Sequence, residues 1–191
     1  MNMYLLRVSE DYPEKLSLIY DHDASTDLTE FRKCHPVSET VTAKFSNRKK
    51  IDIEKLKRLD YIQSDGPPLI SQRMAEVIKA HTDQVELSPA SVMIDGQMLD
   101  GYFVLNILTK KPCFDLARSD YRPTIDGMPE YGLRFYHVHS LPEKCLEGAS
   151  IVRAQESLGE IFVSSELGEA LTRSKISGLS LLDAHHGVDV Y

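Results

Sequence analysis

The residues able to do chemistry in this chain are few and lie far apart. His137 and His139 are spaced i, i+2 in "RFYHVHS". In a strand that spacing sends both imidazoles to one face, where a third ligand from Cys145, His185, His186 or an aspartate would complete a metal site. Cys113 follows Lys110, Lys111 and Pro112. It would be a nucleophile if a histidine reached it and the lysines lowered its pKa. Together these residues define one function class, a small metal- or thiol-dependent hydrolase. Each also has a plainer reading. A histidine pair on a strand is an ordinary surface feature, and a free thiol beside Phe114 packs as a small hydrophobe. "DAHHGVDVY" reads as a solvated tail, since adjacent His185 and His186 point to opposite faces if extended. No HExxH, GxSxG or P-loop pattern occurs, and the glycines of "GQMLDG" are too far apart to cradle a phosphate. The carboxylates are too scattered to single out a catalytic pair. The expectation is therefore of no catalytic residue, no cofactor and no metal.

Composition narrows the partners. With 191 residues, 42% hydrophobic and 27% charged, the chain has the material for a folded domain or for two small lobes. Lys and Arg number 22 against 29 Asp and Glu, for a net charge of −7. That balance argues against binding a phosphate backbone and permits a basic protein partner. Three cysteines, Cys34, Cys113 and Cys145, are odd in number, widely spaced and without a CxxC. They predict neither a disulfide framework nor a structural zinc. The N-terminal "MNMYLLRVSEDYPEK" lacks a basic region ahead of an apolar core and reads as a first strand. No apolar run approaches the roughly 18 residues of a membrane span. The expected compartment is the cytoplasm.

The elements that would position these residues alternate irregularly. "VTAKFS" has the two-residue period of a half-buried strand, and "NRKKIDIEKLKRL" reads as a basic linker or short helix with a solvated face. Ser64-Asp65-Gly66 and Pro67-Pro68 mark the clearest boundary. After it, Ser71 suits the N-cap of a helix whose Met74, Val77, Ile78 and His81 share one face. Asp95-Gly96 is a hairpin signal, and Asp100-Gly101 is either a second turn or a bulge. Tyr102 to Leu108 predicts a central strand buried on both faces, with Asn106 needing internal hydrogen-bond partners. Around "RFYHVHS" the chain is punctuated by Pro123, Gly127, Pro129, Gly132 and Pro142 and reads as irregular.

Two segments echo each other. "PLISQRMAEVIKAHTDQVEL" and "IFVSSELGEALTRSKISGLSL" both run from an apolar piece through a serine into a helix and then a strand. The echo is either a weak internal duplication or a common local solution. In either case the fold class is α+β, with an antiparallel or mixed sheet and a few short helices. The predicted organisation is an N-terminal strand-rich lobe at 1–65 packed on a main α+β domain at 66–191.

Three stretches, "LDYIQSDGPPLISQRMAEVI", "YFVLNILTKKPCFDLARSDY" and "GEIFVSSELGEALTRSKISGLSL", occur in an order that resembles a bacterial immunity protein family. This is family eleven of the polymorphic toxin systems, first catalogued as a domain of unknown function. The matching positions are Pro68 to Ser71, Tyr102 with Leu105 and Asn106, Cys113 with Asp115, Ser119, and Phe162 with Ser164 and Gly178. The resemblance covers roughly Leu59 to Leu182. It implies a cytoplasmic, non-catalytic inhibitor that binds a cognate toxin encoded beside it, in settings that include type VI secretion. An acidic surface would suit a basic toxin such as a nuclease. The candidate binding segment is "DYRPTIDGMPEYG", read as an exposed loop. It places Tyr121, Met128 and Tyr131 among Asp120, Asp126 and Glu130. A scaffold module of a secretion assembly is a third function class.

Overall fold

The computed structural model describes residues 3–37 and 40–189. The chain is α+β and mostly sheet. In order, β1 (Met3–Val8) and β2 (Ile19–Tyr20) lead to α1 (Leu28–Arg32), where the Asp27 side chain accepts from the Thr29 N–H at 2.7 Å. After β3 (Lys44–Ser46), Asp52 caps α2 (Ile53–Leu56) by accepting from the Glu54 and Lys55 amides. β4 (Tyr61–Ile62) and β5 (Leu69–Ser71) flank the Pro67-Pro68 turn and feed α3 (Gln72–Lys79). There Ser71 Oγ accepts from Met74 N at 3.2 Å, the cap its sequence position predicts.

β6 (Val85–Pro89), β7 (Ser91–Ile94), β8 (Gln97–Leu99) and β9 (Tyr102–Ile107) come next. Asp95 and Gly96 both have positive φ, 50° and 83°, the geometry that matches a two-residue hairpin to strand twist. Asp100-Gly101 makes a bend between β8 and β9, with Gly101 at φ 83°. The chain continues through β10 (Lys110–Lys111), β11 (Asp120–Ile125), β12 (Met128–Val138), α4 (Pro142–Cys145), β13 (Ile151–Ala154) and β14 (Ile161–Ser164). It closes with α5 (Ser165–Arg173), β15 (Leu179–Leu182) and β16 (Val188–Asp189). The echo is visible locally: Ser164 Oγ accepts from Leu167 N at 3.2 Å, as Ser71 does from Met74.

The chain forms two compact units, each assembled from separated segments. One comprises residues 1–7, 109–169 and 181–191, the other residues 8–108 and 170–180. The second unit holds two four-stranded sheets, β2-β3-β7-β8 and β4-β5-β9-β6. Its core includes Tyr20, Phe31, Phe45, Leu56, Leu69 and Val104, each fully buried apolar side chain contributing about 1.5–3 kcal/mol. β9 is the interior strand predicted from its apolar run, paired antiparallel to both β5 and β6. Asn106, 1% exposed, donates through Nδ2 to His35 O at 3.0 Å and to Glu86 Oε2 at 3.1 Å. Glu86 is its register partner on β6 and also accepts from Val37 N.

Asp60 is the polar centre of this unit. It is 4% exposed, yet its carboxylate receives five donors. These are Ser71 Oγ at 2.7 Å, Ser177 N at 2.9 Å, Ser177 Oγ at 3.0 Å, Arg73 Nε at 3.1 Å and a second nitrogen of the Arg73 guanidinium. Burial, the largest single influence, pushes its pKa up. The bonds from Arg73, Ser71 and Ser177 together outweigh it, so the pKa lies below the ordinary aspartate value. Next to Ser177, Gly178 has φ +85°, and a Cβ there would meet Tyr61 O at 2.4 Å. Only glycine fits this close approach.

The first unit holds the five-stranded sheet β10-β13-β14-β1-β15 and the three-stranded sheet β11-β12-β16. Here two expectations are corrected. Cys113 is not a packed free thiol but is disulfide-bonded to Cys145, with both side chains fully buried and the Cα atoms 4.3 Å apart. The pairing spans 32 residues and is invisible in local spacing. It arises because Phe114 bridges Ser140 and the Leu141 amide donates to Cys113 O at 2.7 Å. Cys34 is buried and takes no part in the disulfide. The C-terminal "HHGVD" is also not a solvated tail. β16 pairs antiparallel with β12, and Val188 packs on the core of Phe114, Phe135, Val138 and Phe162.

Two outcomes follow for stability. Asp60→Ala should cost about 3 kcal/mol, because it strands buried donors, whereas Asp60→Asn should cost less. Folding depresses the Asp60 pKa, so its contribution is complete above about pH 4 and fades as pH falls through the folded value. Urea unfolding of the parent and Asp60→Asn should therefore show a stability gap that narrows on acidification. A gap that widens toward acid would refute this account. For the disulfide, closing a loop of this length contributes about 3–4 kcal/mol. Reductant should lower the urea midpoint of the parent and leave a Cys113→Ala/Cys145→Ala variant unchanged.

Candidate functional site

The segment expected as a loop folds as an antiparallel hairpin of β11 and β12. Its tip is Asp126-Gly127, with Gly127 at φ +77° and Ile125 directly opposite Met128. The register slips between Asp120 and Tyr121 and between Pro123 and Ile125, as β-bulges do. Pro123 is tolerated because β11 is an edge strand, where a missing N–H forfeits no ladder bond.

Alternation sorts the side chains. Tyr121, Leu133 and Phe135 face the core, Phe135 lying 4.6 Å from Phe114 and 5.3 Å from Tyr121 between ring centroids. Asp120, Arg122, Thr124 and Arg134 are exposed on the other face, with Tyr136 half-buried. Arg122 and Arg134 are direct register partners. Both guanidiniums sit near the Tyr136 ring, at 5.9 and 5.7 Å from its centroid.

Of the candidate binding residues, Asp120 and Asp126 are exposed, at the start of β11 and at the tip. Met128 is 46% exposed beside Ile125 at 47%. Tyr121 is half-buried, its ring turned to the core rather than outward. Glu130 and Tyr131 belong to β12, and their side chains lie outside the described residues. The outward Arg122, Arg134 and Tyr136 are not among the sequence-derived candidates. Their signal is present in "DYRPTI" and "LRFYHV", two alternating arms around an Asp-Gly turn, but the flanking prolines mask it.

The hydrolase constellation does not assemble. Cys113 and Cys145 are consumed by the disulfide, so neither offers a thiolate. His137 Nδ1 is 2.9 Å from Asp189 Oδ1, and its ring meets that of His139 edge-on at 5.1 Å. Gly187, φ +91°, packs so closely that a Cβ would lie 2.3 Å from His137 Nε2. Among the described residues, no three His, Cys, Asp or Glu side chains come together as a metal site. In the other unit, an open cleft of about 480 Å³ is lined by groups of both signs, including Glu14, Lys15, Arg48, Lys49 and Asp65. Among the described residues, no helix is long and apolar enough to cross a membrane.

Comparison with known proteins agrees with the resemblance read from the sequence. The family described as "Immunity protein family (Imm11)" matches residues 7–186, nearly the whole chain. No curated protein matches the chain. The match takes in the Asp60 centre, β9, the disulfide and the β11–β12 hairpin, and the chain belongs to the Imm11 immunity protein family.

Proposed function

We propose that this chain is a stoichiometric, non-catalytic inhibitor that acts in the cytoplasm of the bacterium producing it. It binds a cognate secreted toxin of a polymorphic toxin system, of the kind delivered by type VI secretion and encoded beside it. The observation that carries this reading is the family match across residues 7–186. Immunity by this route needs a surface, not a site. A standard protein interface buries about 800 Å² on each partner around a few anchoring side chains.

The β11–β12 hairpin supplies such a surface. Its inward residues are fixed by the Phe114–Phe135 packing, so its outward residues are held in place before a partner arrives, which reduces the ordering cost of binding. Asp120, Asp126, Met128, Glu130 and Tyr131 are the binding residues on this reading, with Tyr121 anchoring the hairpin from within. The buried disulfide suits an oxidising compartment better than a reducing one. Action in the cytoplasm therefore requires a fold that persists when Cys113 and Cys145 are reduced.

The test is co-expression with the product of the gene immediately upstream. The expected result is rescue of growth and a one-to-one complex by size-exclusion chromatography, persisting in reductant. Absence of both rescue and complex would sink the proposal.

A further inference from the structure

We propose that the outward face of the β11–β12 hairpin is a carboxylate-binding platform. On it, Arg122 and Arg134, carried by Tyr136, engage an acidic surface of the toxin while Ile125 and Met128 at the tip enter an apolar depression beside it. This deepens the proposed function and rests on it.

The argument begins with placement. Arg122 and Arg134 are direct cross-strand partners, and like charges in that position repel. Among the described residues no carboxylate forms an ion pair with either guanidinium, although the chain carries 29 acidic residues. Two other cations of the same unit do have carboxylate partners: Arg7 pairs with Glu160 at 2.6 Å and Lys111 with Glu147 at 2.6 Å. Tyr136 lies within cation–π range of both guanidiniums, which holds their planes over one ring. Two adjacent guanidiniums present parallel N–H donors that match carboxylates bidentately.

The occupant follows from charge and from the tip. A phosphate backbone would also accept guanidinium donors. A chain of net charge −7 repels a polyanion at long range, and nothing at the tip offers it more cations. Ile125 and Met128 are instead 47% and 46% exposed and directly paired, an apolar contact that a protein surface can bury and a phosphate chain cannot. The net charge governs the far field and suits a toxin that is basic overall. The hairpin requires a local acidic patch on it.

The experiment measures binding of the purified upstream gene product to four proteins. These are the parent, Arg122→Glu/Arg134→Glu, Ile125→Ala/Met128→Ala, and Met93→Ala/Met98→Ala, which alters an exposed methionine pair on the β7–β8 hairpin. Circular dichroism and thermal unfolding confirm that each is folded. The charge reversal should weaken binding at least tenfold and flatten its salt dependence between about 50 and 300 mM, and Ile125→Ala/Met128→Ala should weaken it further. The methionine control should bind as the parent does. If the parent binds and the charge reversal binds equally well, the platform is overturned while the immunity reading stands. If the parent binds nothing, the immunity reading fails and the platform with it. If the reversal abolishes binding to a duplex oligonucleotide and leaves toxin binding intact, the face is a nucleic-acid surface and the proposal is wrong.

Discussion

The carboxylate of Asp60 is the constraint on which the larger unit depends. A buried aspartate is expensive unless its lone pairs are filled, and here five donors fill them. The donors come from two separate places in the chain, and the carboxylate itself sits at a third, just ahead of β4. Ser71 caps α3 with the same oxygen that it uses to donate to Asp60. Arg73, in the first turn of the helix, reaches back to the carboxylate and also donates to Lys175 O. Ser177 brings its backbone and side chain from the turn after α5. A helix start, a strand start and a remote turn are thus fixed to one point. The close approach of Gly178 to Tyr61 O makes the same junction sterically exclusive. Moving any of the three would leave a buried polar group without a partner.

The other unit solves the same problem with different means. Its core is aromatic and cross-linked, with Phe114, Phe135 and Phe162 packed near the Cys113–Cys145 disulfide. Asp115 continues the work next door. Its carbonyl accepts from the Ser119 hydroxyl at 2.7 Å, and the same oxygen of Ser119 accepts from His139 N at 3.0 Å. The turn between β10 and β11 is thereby fastened to the end of β12. A hairpin alone is marginal in water. This one is held at the end of β12 by β16 and from below by the ring of Phe114 against Phe135, so its outer face can carry side chains chosen for recognition and not for stability.

What the sequence reveals depends on how local the physics is. Ser71 is readable as a cap because the hydrogen bond it makes spans three residues. β9 is readable because an interior strand must be apolar on both faces, and Asn106 stands out for the same reason. Asp95-Gly96 is readable because few residues accept two positive φ values in succession. The disulfide is not readable, since the contacts that bring Cys113 to Cys145, the Phe114–Ser140 bridge and the Leu141 amide on Cys113 O, join residues far apart in the chain. β11 hides behind Pro123, whose tolerance depends on an edge position that only the folded sheet defines. β16 hides behind two histidines that suggest a polar tail, while Val188 supplies the burial. Asp60 looks like any other aspartate until Ser177, 117 residues away, arrives beside it.

Charge reads differently at the two scales, and the difference bears on function. The total of −7 describes what a partner senses at a distance, a field that salt screens within about 10 Å. Contact chemistry is set by the few groups that are desolvated on binding. On the hairpin those groups include two guanidiniums that make no ion pair with a carboxylate among the described residues, placed side by side against their own repulsion and resting on a tyrosine. Such a pair is unfavourable in the free protein and becomes favourable when carboxylates are brought to it. The acidic remainder of the surface then serves specificity, since it disfavours any partner whose negative charge extends beyond a patch that two arginines can neutralise.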